Sequence, residues 1–162
     1  MVRRTYLIAH ALVILLAGGA AAEQIEVRHV GELVKPSDLI ARVKIIYVRE
    51  TGAREGYGKI AVASVVEAVK GTETGVVFEL GNDFVNVACP NVSYEAGEDV
   101  LLFARKKPDG LYETTYAAAG KILIRDGRVS QPPFRKDQSY GSAVDEVRRE
   151  LKSLEGGAAE KR

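Results

Sequence analysis

The stretch from Lys59 to Val69 constrains this chain more than any other. Read as a strand, it sets Ile60, Val62, Ser64, Val66 and Ala68 on one face. Ala61, Ala63, Val65, Glu67 and Val69 fall on the other. Both faces are largely apolar, so neither can lie against water along its whole length. Such a strand is buried on both sides and coils around a barrel. Leu39 to Val48 (Leu-Ile-Ala-Arg-Val-Lys-Ile-Ile-Tyr-Val) is a second strand candidate, rich in β-branched and aromatic residues. A barrel is therefore the architecture to test along the rest of the chain.

Further strands are expected at Val76 to Leu80, more weakly at Phe84 to Ala88, and at Val100 to Ala104, Leu111 to Ala117 and Lys121 to Arg125. The breaks between them carry turn chemistry. Thr51 to Gly58 holds Gly52, Gly56 and Gly58 and reads as a loop. Lys70 to Gly75 and Ala96-Gly97-Glu98-Asp99 read as turns, and Pro36-Ser37 as a turn or a single helical turn. In Lys107-Pro108-Asp109-Gly110, proline presets one φ angle and glycine accepts a positive one. Asp126-Gly127 fits a tight hairpin turn into Arg128-Val129. After Gln131-Pro132-Pro133 the period changes. Ala143, Val144, Val147, Leu151 and Leu154 recur at three- and four-residue spacing, which marks an amphipathic helix packing on the barrel. Ser142, three before Asp145, reads as its N-cap, and Gly156-Gly157 as its end.

The first 22 residues stand outside this pattern. Arg3 and Arg4 give a basic start, Leu7 to Ala17 is almost wholly apolar, and Ala20-Ala21-Ala22 offers small residues for cleavage. This is the pattern of a cleavable signal peptide, with a mature start near Glu23. A retained membrane anchor is the competing reading, but the apolar run is about half of the roughly 20 residues a spanning helix needs. The expected organisation is a signal at 1–22, a barrel domain at 23–130, a linker at 131–138, a helix at 139–155 and a disordered tail at 156–162. The expected location is periplasmic or extracellular, with no stable membrane insertion after cleavage.

Charge and cysteine use narrow the function classes. The signal carries two of the 23 basic residues and none of the 22 acidic ones, so the remainder is near neutral. It lacks the strong basic field of a general nucleic-acid binder. Cys89 is the sole cysteine, so no intramolecular disulfide forms. Beyond the signal, Cys89 and His29 are the only Cys or His, which excludes zinc sites built on thiolates. The pair could in principle act as nucleophile and base, but no third group orients them. Asp83, Asp99, Asp109 and Asp126 fall at turns, where Asp bonds its own backbone, and lack the dense alternation of a calcium loop. Arg105-Lys106-Lys107 reads as a solvated strand end against an anion patch. Tyr47, Tyr57, Tyr94, Tyr112 and Tyr116 read as half-buried wall residues against a stacking face for sugars or bases. Asn91-Val92-Ser93 matches a glycosylation sequon. No catalytic residue, metal or cofactor is assigned.

Several segments occur in a recognisable order. They are Val65-Val-Glu-Ala-Val-Lys-Gly71, then Cys89-Pro-Asn-Val-Ser-Tyr-Glu-Ala-Gly-Glu-Asp-Val-Leu-Leu-Phe-Ala104, then Gly110-Leu-Tyr112 and Ala119-Gly-Lys-Ile-Leu-Ile124. This order resembles the netrin-like domain, in particular bacterial exported relatives of the tissue inhibitors of metalloproteinases. There a strand ends in Val-x-x-x-x-Lys-Gly, Gly-Glu-x-x-Leu-Leu-Phe follows, and a hairpin comes next. The resemblance spans roughly 34–130. It implies an OB-type, closed or partly open barrel of five strands with helices alongside. The animal inhibitors place an N-terminal cysteine on the protease zinc. Here Glu23 would start the mature chain, no cysteine lies near it, and Cys89 lacks a partner. By position, Glu23, Gln24, Ala88, Cys89 and Pro90 would form the partner-contact ridge. The expectation is an exported, non-enzymatic binding or inhibitor-like module acting on a protein. The alternatives are an OB-type oligosaccharide- or nucleotide-binding domain, or an accessory cell-envelope protein associating through its C-terminal helix.

Overall fold

A computed structural model describes residues 26–54, 56–84 and 92–159. In chain order these form α1 (Val30–Val34), β1 (Leu39–Arg54), β2 (Tyr57–Lys70), β3 (Val77–Phe84), β4 (Asp99–Lys106) and β5 (Tyr112–Thr114). A 3-10 turn (Ala117–Gly120), β6 (Lys121–Leu123), β7 (Arg128–Val129), β8 (Gln138–Ser139) and α2 (Tyr140–Ala159) complete them.

Hydrogen bonding runs β1-β2-β3-β5-β4 and returns from β4 to β1, with Leu39 opposite Ala104 and Lys44 opposite Asp99. Five strands thus close on themselves. Every contact in the ring is antiparallel except β3 with β5, where Leu80 faces Tyr112 in parallel. This is the OB-like five-stranded barrel with a C-terminal helix that the strand pattern predicts. β6 pairs with Val100 to Leu102 of β4, along the same edge that pairs with β5 from Ala104 on.

Alternation along the strands makes two cores. Leu39, Ala41, Val43 and Ile45 point inward from β1, as do Ala61, Ala63 and Val65 from β2 and Val100, Leu102 and Ala104 from β4. Alanine facing leucine or valine lets side chains fill a narrow interior. The opposite face of β1 and β4 shows Ile40, Leu101 and Phe103, which with Ile122 and Ile124 form a second layer. Val30, Leu33 and Val34 of α1 and Ala143 and Val147 of α2 cover it. Val100 to Ala104 are consequently fully buried on both sides. Burial of one such large side chain contributes about 1.5–3 kcal/mol.

Polar contacts fix α2 on this layer. The Arg42 guanidinium donates to both carboxylate oxygens of Asp99 at 2.9 and 2.6 Å and lies 5.1 Å from the Tyr140 ring centre. The Tyr140 hydroxyl donates to Glu67 at 2.9 Å, and Arg148 donates to the same carboxylate at 3.0 Å. The Lys-Gly pair that ends β2 also has a packing role. Lys70 Nζ donates to the carbonyls of Val34 and Ser37, and Gly71 at φ 69° lies against the Asp38 carbonyl.

The structure corrects several expected boundaries. The loop at 51–58 is the end of a long hairpin, because β1 continues to Arg54 and β2 begins at Tyr57. The helical turn lies before Pro36, over Val30–Val34. Ser139, not Ser142, caps α2, since its Oγ accepts the Ser142 N–H at 3.3 Å. The helix passes Gly156-Gly157 and runs to Ala159, so the expected end at 155 and the disordered tail from 156 are wrong for the described residues. Both glycines sit in open space, so neither a clash nor a tight packing demand stops the helix there. The 131–138 linker is packed structure: Phe134 is buried in the second core, Pro132-Pro133 is cis, and β7 pairs with β8 across it. The signal at 1–22 and the weak strand beyond Phe84 lie outside the described residues.

Candidate functional site

The pairing of the two longest strands slips at four places, and two of these slips decide which side chains face out. Between Ile45 and Tyr47 the partner on β2 advances by one residue, from Ala63 to Val62, so two residues of β1 oppose one. Between Arg42 and Val43 the partner jumps from Glu67 to Val65, leaving Val66 as the extra residue on β2. Both are β-bulges, which re-aim side chains and increase local twist. Strict alternation would turn Tyr47 into the barrel. The bulge instead leaves both Ile46 and Tyr47 facing out, 47% and 48% exposed. On β2 it leaves Val66 45% exposed and frees Glu67 to reach α2.

The neighbouring strand completes an apolar surface. Lys44, Ser64 and Val77 form one row across β1, β2 and β3, and Tyr47, Val62 and Glu79 form another. Val77 is 56% exposed and Val76, just before β3, is 43% exposed. Ile46, Tyr47, Val66 and Val77 thus belong to one end of the sheet face that the helices leave uncovered, and Val76, exposed at the start of β3, lies next to it. Scattered exposed hydrophobics are ordinary, but several on one face mark an interaction site. Charged pairs border it. Arg49 pairs with Glu79, and Lys59 lies 3.9 Å from Glu50 and 3.6 Å from Asp83. Lys44 is exposed and makes no ion pair among the described residues.

The residues singled out from sequence fall elsewhere. Glu23, Gln24, Ala88, Cys89 and Pro90 lie outside the described residues, as does Asn91 of the sequon. His29 is exposed ahead of α1. The acidic residues serve local structure: Asp99 holds Arg42, and Asp109 accepts the Leu111 N–H at 3.0 Å. Asp83 and Asp126 take positive φ. Among the described residues, no three His, Cys, Asp or Glu gather as a metal site would require. In the basic run, Arg105 pairs with Glu113 and Lys107 Nζ lies 5.1 Å from the Tyr57 ring centre.

The tyrosines do not share a face. Tyr57 is buried, with its hydroxyl donating to Glu113 at 3.1 Å. Tyr94 is buried against the Thr114 hydroxyl at 2.6 Å. Burial is the chief cause that lifts both phenols above the usual tyrosine range. Tyr112 packs at 59° to the Phe78 ring, 5.0 Å between centres. Tyr47 alone of the five belongs to the apolar face. Sequence reasoning missed that face, although a signal was present. Ile45-Ile46-Tyr47, Val65-Val66 and Val76-Val77 are apolar neighbours in strands with one solvated side, so one of each pair must face out.

No family model, curated protein or solved structure matches this chain.

Proposed function

We propose that this chain is an exported, non-enzymatic binding module, and that it engages a protein partner through the outer face of β1, β2 and β3. The observation that carries this reading is the pair of bulges that hold Ile46, Tyr47 and Val66 out of the barrel beside Val76 and Val77. A fold gains nothing in stability from exposing these side chains. A partner covering them would gain roughly 25 cal/mol for each Å² of apolar surface removed from water. Tyrosine suits the centre of such a contact, because it offers a large rigid surface and a polar tip. The resemblance to netrin-like domains supports an exported module of inhibitor-like type. The proposed contact face differs from the ridge at Glu23, Gln24 and residues 88–90.

The test is a photo-crosslinker placed at Tyr47 in the full chain, expressed in its own cells, with a second at exposed Lys152 as control. The expected result is one discrete protein adduct from Tyr47, absent from Lys152 and lost when Val77→Lys is added. Equal adducts from both positions, or none from Tyr47, would overturn the reading.

A further inference from the structure

An open cavity of about 640 Å³ lies between the turn that joins β7 to β8 and one face of α2. Arg135 and Lys136 line it from the turn, and Ser142, Glu146 and Arg149 from the helix. The helical residues follow at four and three positions, so they lie on one side of α2. Arg135, Lys136 and Arg149 make no ion pair among the described residues. Three cations from two facing elements therefore share one cavity without a bound carboxylate.

The two acidic residues in the wall are directed to other groups. Glu146 accepts a hydrogen bond from the Gln138 amide at 3.2 Å. Glu150 is turned toward α1, with Oε2 3.1 Å from where a Cβ on Gly31 would stand. The same Gln138 amide donates to Ser142 Oγ at 3.4 Å, which leaves the Ser142 hydroxyl proton available as a donor. Guanidinium groups present planar paired donors that match phosphate and carboxylate oxygens.

We propose that this cavity binds a compact polyanion bearing phosphate or carboxylate groups, held between Arg135 and Arg149 with Lys136 as a further cation. The site is separate from the apolar face of β1 to β3 and does not depend on it. Binding weakens as salt rises, because the cations are solvent-facing and screened within about 8–10 Å at ordinary ionic strength.

The experiment is an amide-resolved NMR titration of the full chain with pyrophosphate and, separately, with citrate. The expected result is saturating shifts confined to residues 133–150 with at least one of the two probes. Saturation by pyrophosphate alone assigns a phosphate ligand, and by citrate alone a carboxylate one. Arg135→Gln combined with Arg149→Gln should weaken binding at least about tenfold, or 1.4 kcal/mol. Arg149→Lys, which keeps the charge, should restore part of it, and Lys152→Gln should leave it unchanged. Shifts that never saturate with either probe overturn the proposal. So does a double variant with a native spectrum and undiminished affinity.

Discussion

Replacing Gly71 by alanine tests how β2 is anchored. Gly71 sits at φ 69°, and an added Cβ would lie 1.9 Å from the Asp38 carbonyl oxygen. The left-handed conformation costs alanine about 1–2 kcal/mol. Reduced freedom of the unfolded chain returns about 0.4–1 kcal/mol. The clash is with backbone, so the Asp38–Leu39 segment must move, at the roughly 1–3 kcal/mol typical of overpacking. Leu39 starts β1 and pairs with Ala104, and Lys70 bonds the carbonyls just before it, so that segment has little room to yield. The net loss is about 2–4 kcal/mol, a large share of the 5–15 kcal/mol that holds a typical domain. Gly75→Ala is the matched control: its φ is 86°, but no atom lies within 4 Å of the added Cβ. It should lose about 1 kcal/mol or less, from conformation alone. Urea unfolding of both variants reads the difference directly. With a slope near 2 kcal/mol per molar, the Gly71 variant's midpoint should fall by about 1–2 M with the slope unchanged. A Gly71→Ala midpoint no lower than that of Gly75→Ala would refute the argument from close approach.

Three further outcomes are expected. Tyr57, Tyr94 and Tyr140 have phenol pKa values raised chiefly by burial. The folded state therefore holds these protons more tightly, and stability present below the unfolded value near 10 is lost as pH rises beyond it. Phenolate absorbance should show these three ionising only together with loss of the fold; reversible ionisation of every tyrosine in a native chain would refute this. Asn82→Ala should cost about 2–4 kcal/mol in chemical denaturation, because the Asn82 side chain both accepts the Tyr94 N–H at 3.0 Å and donates to its carbonyl at 3.1 Å, leaving two buried groups unpaired; a loss below 1 kcal/mol would show that water replaces both bonds. Intact mass of material from the envelope or medium should give a chain beginning at or near Glu23, and a species retaining Met1 to Ala22 there would defeat the signal reading.

Sequence periodicity disclosed the barrel because strands alternate and the barrel's two packed faces demand two apolar sets. The run from Ile60 to Val65 carries both sets in consecutive residues, and Val100 to Ala104 does so again. Lys70-Gly71 and Gly97-Glu98 were legible as turns, but not as clamps. That Lys70 reaches back to Val34, or that Glu98 meets Lys121 at 2.7 Å, depends on contacts between distant residues. The bulges escaped for a related reason. A bulge is a mismatch between two strands, so neither strand shows it alone. After Val66 the expected faces of β2 exchange: Ala68 packs inside the barrel and Val69 under the helices. The helix extending beyond Gly156-Gly157 reflects the absence of any neighbour there, while the packed 131–138 segment turns on one residue, Phe134, whose burial no local pattern requires.

The closure of β1 onto β4 has a consequence for how the chain comes into being. β1 is paired along both edges, to β2 on one side and to β4 on the other, and the second partner lies about sixty residues downstream. A chain emerging from its N-terminus can form the β1–β2 hairpin early. It must then carry a bare strand edge, and the bare apolar undersides of both strands, until Asp99 to Lys106 arrives. Contacts between such distant residues form slowly, since loop closure precedes any gain. During that interval the exposed edge can pair with another chain. The same delay keeps the chain threadable: while β4 is missing there is no barrel to unfold. Even β4 does not finish the ring, because β3 and β4 are joined only through β5, so the barrel closes on the shortest and last of its five strands.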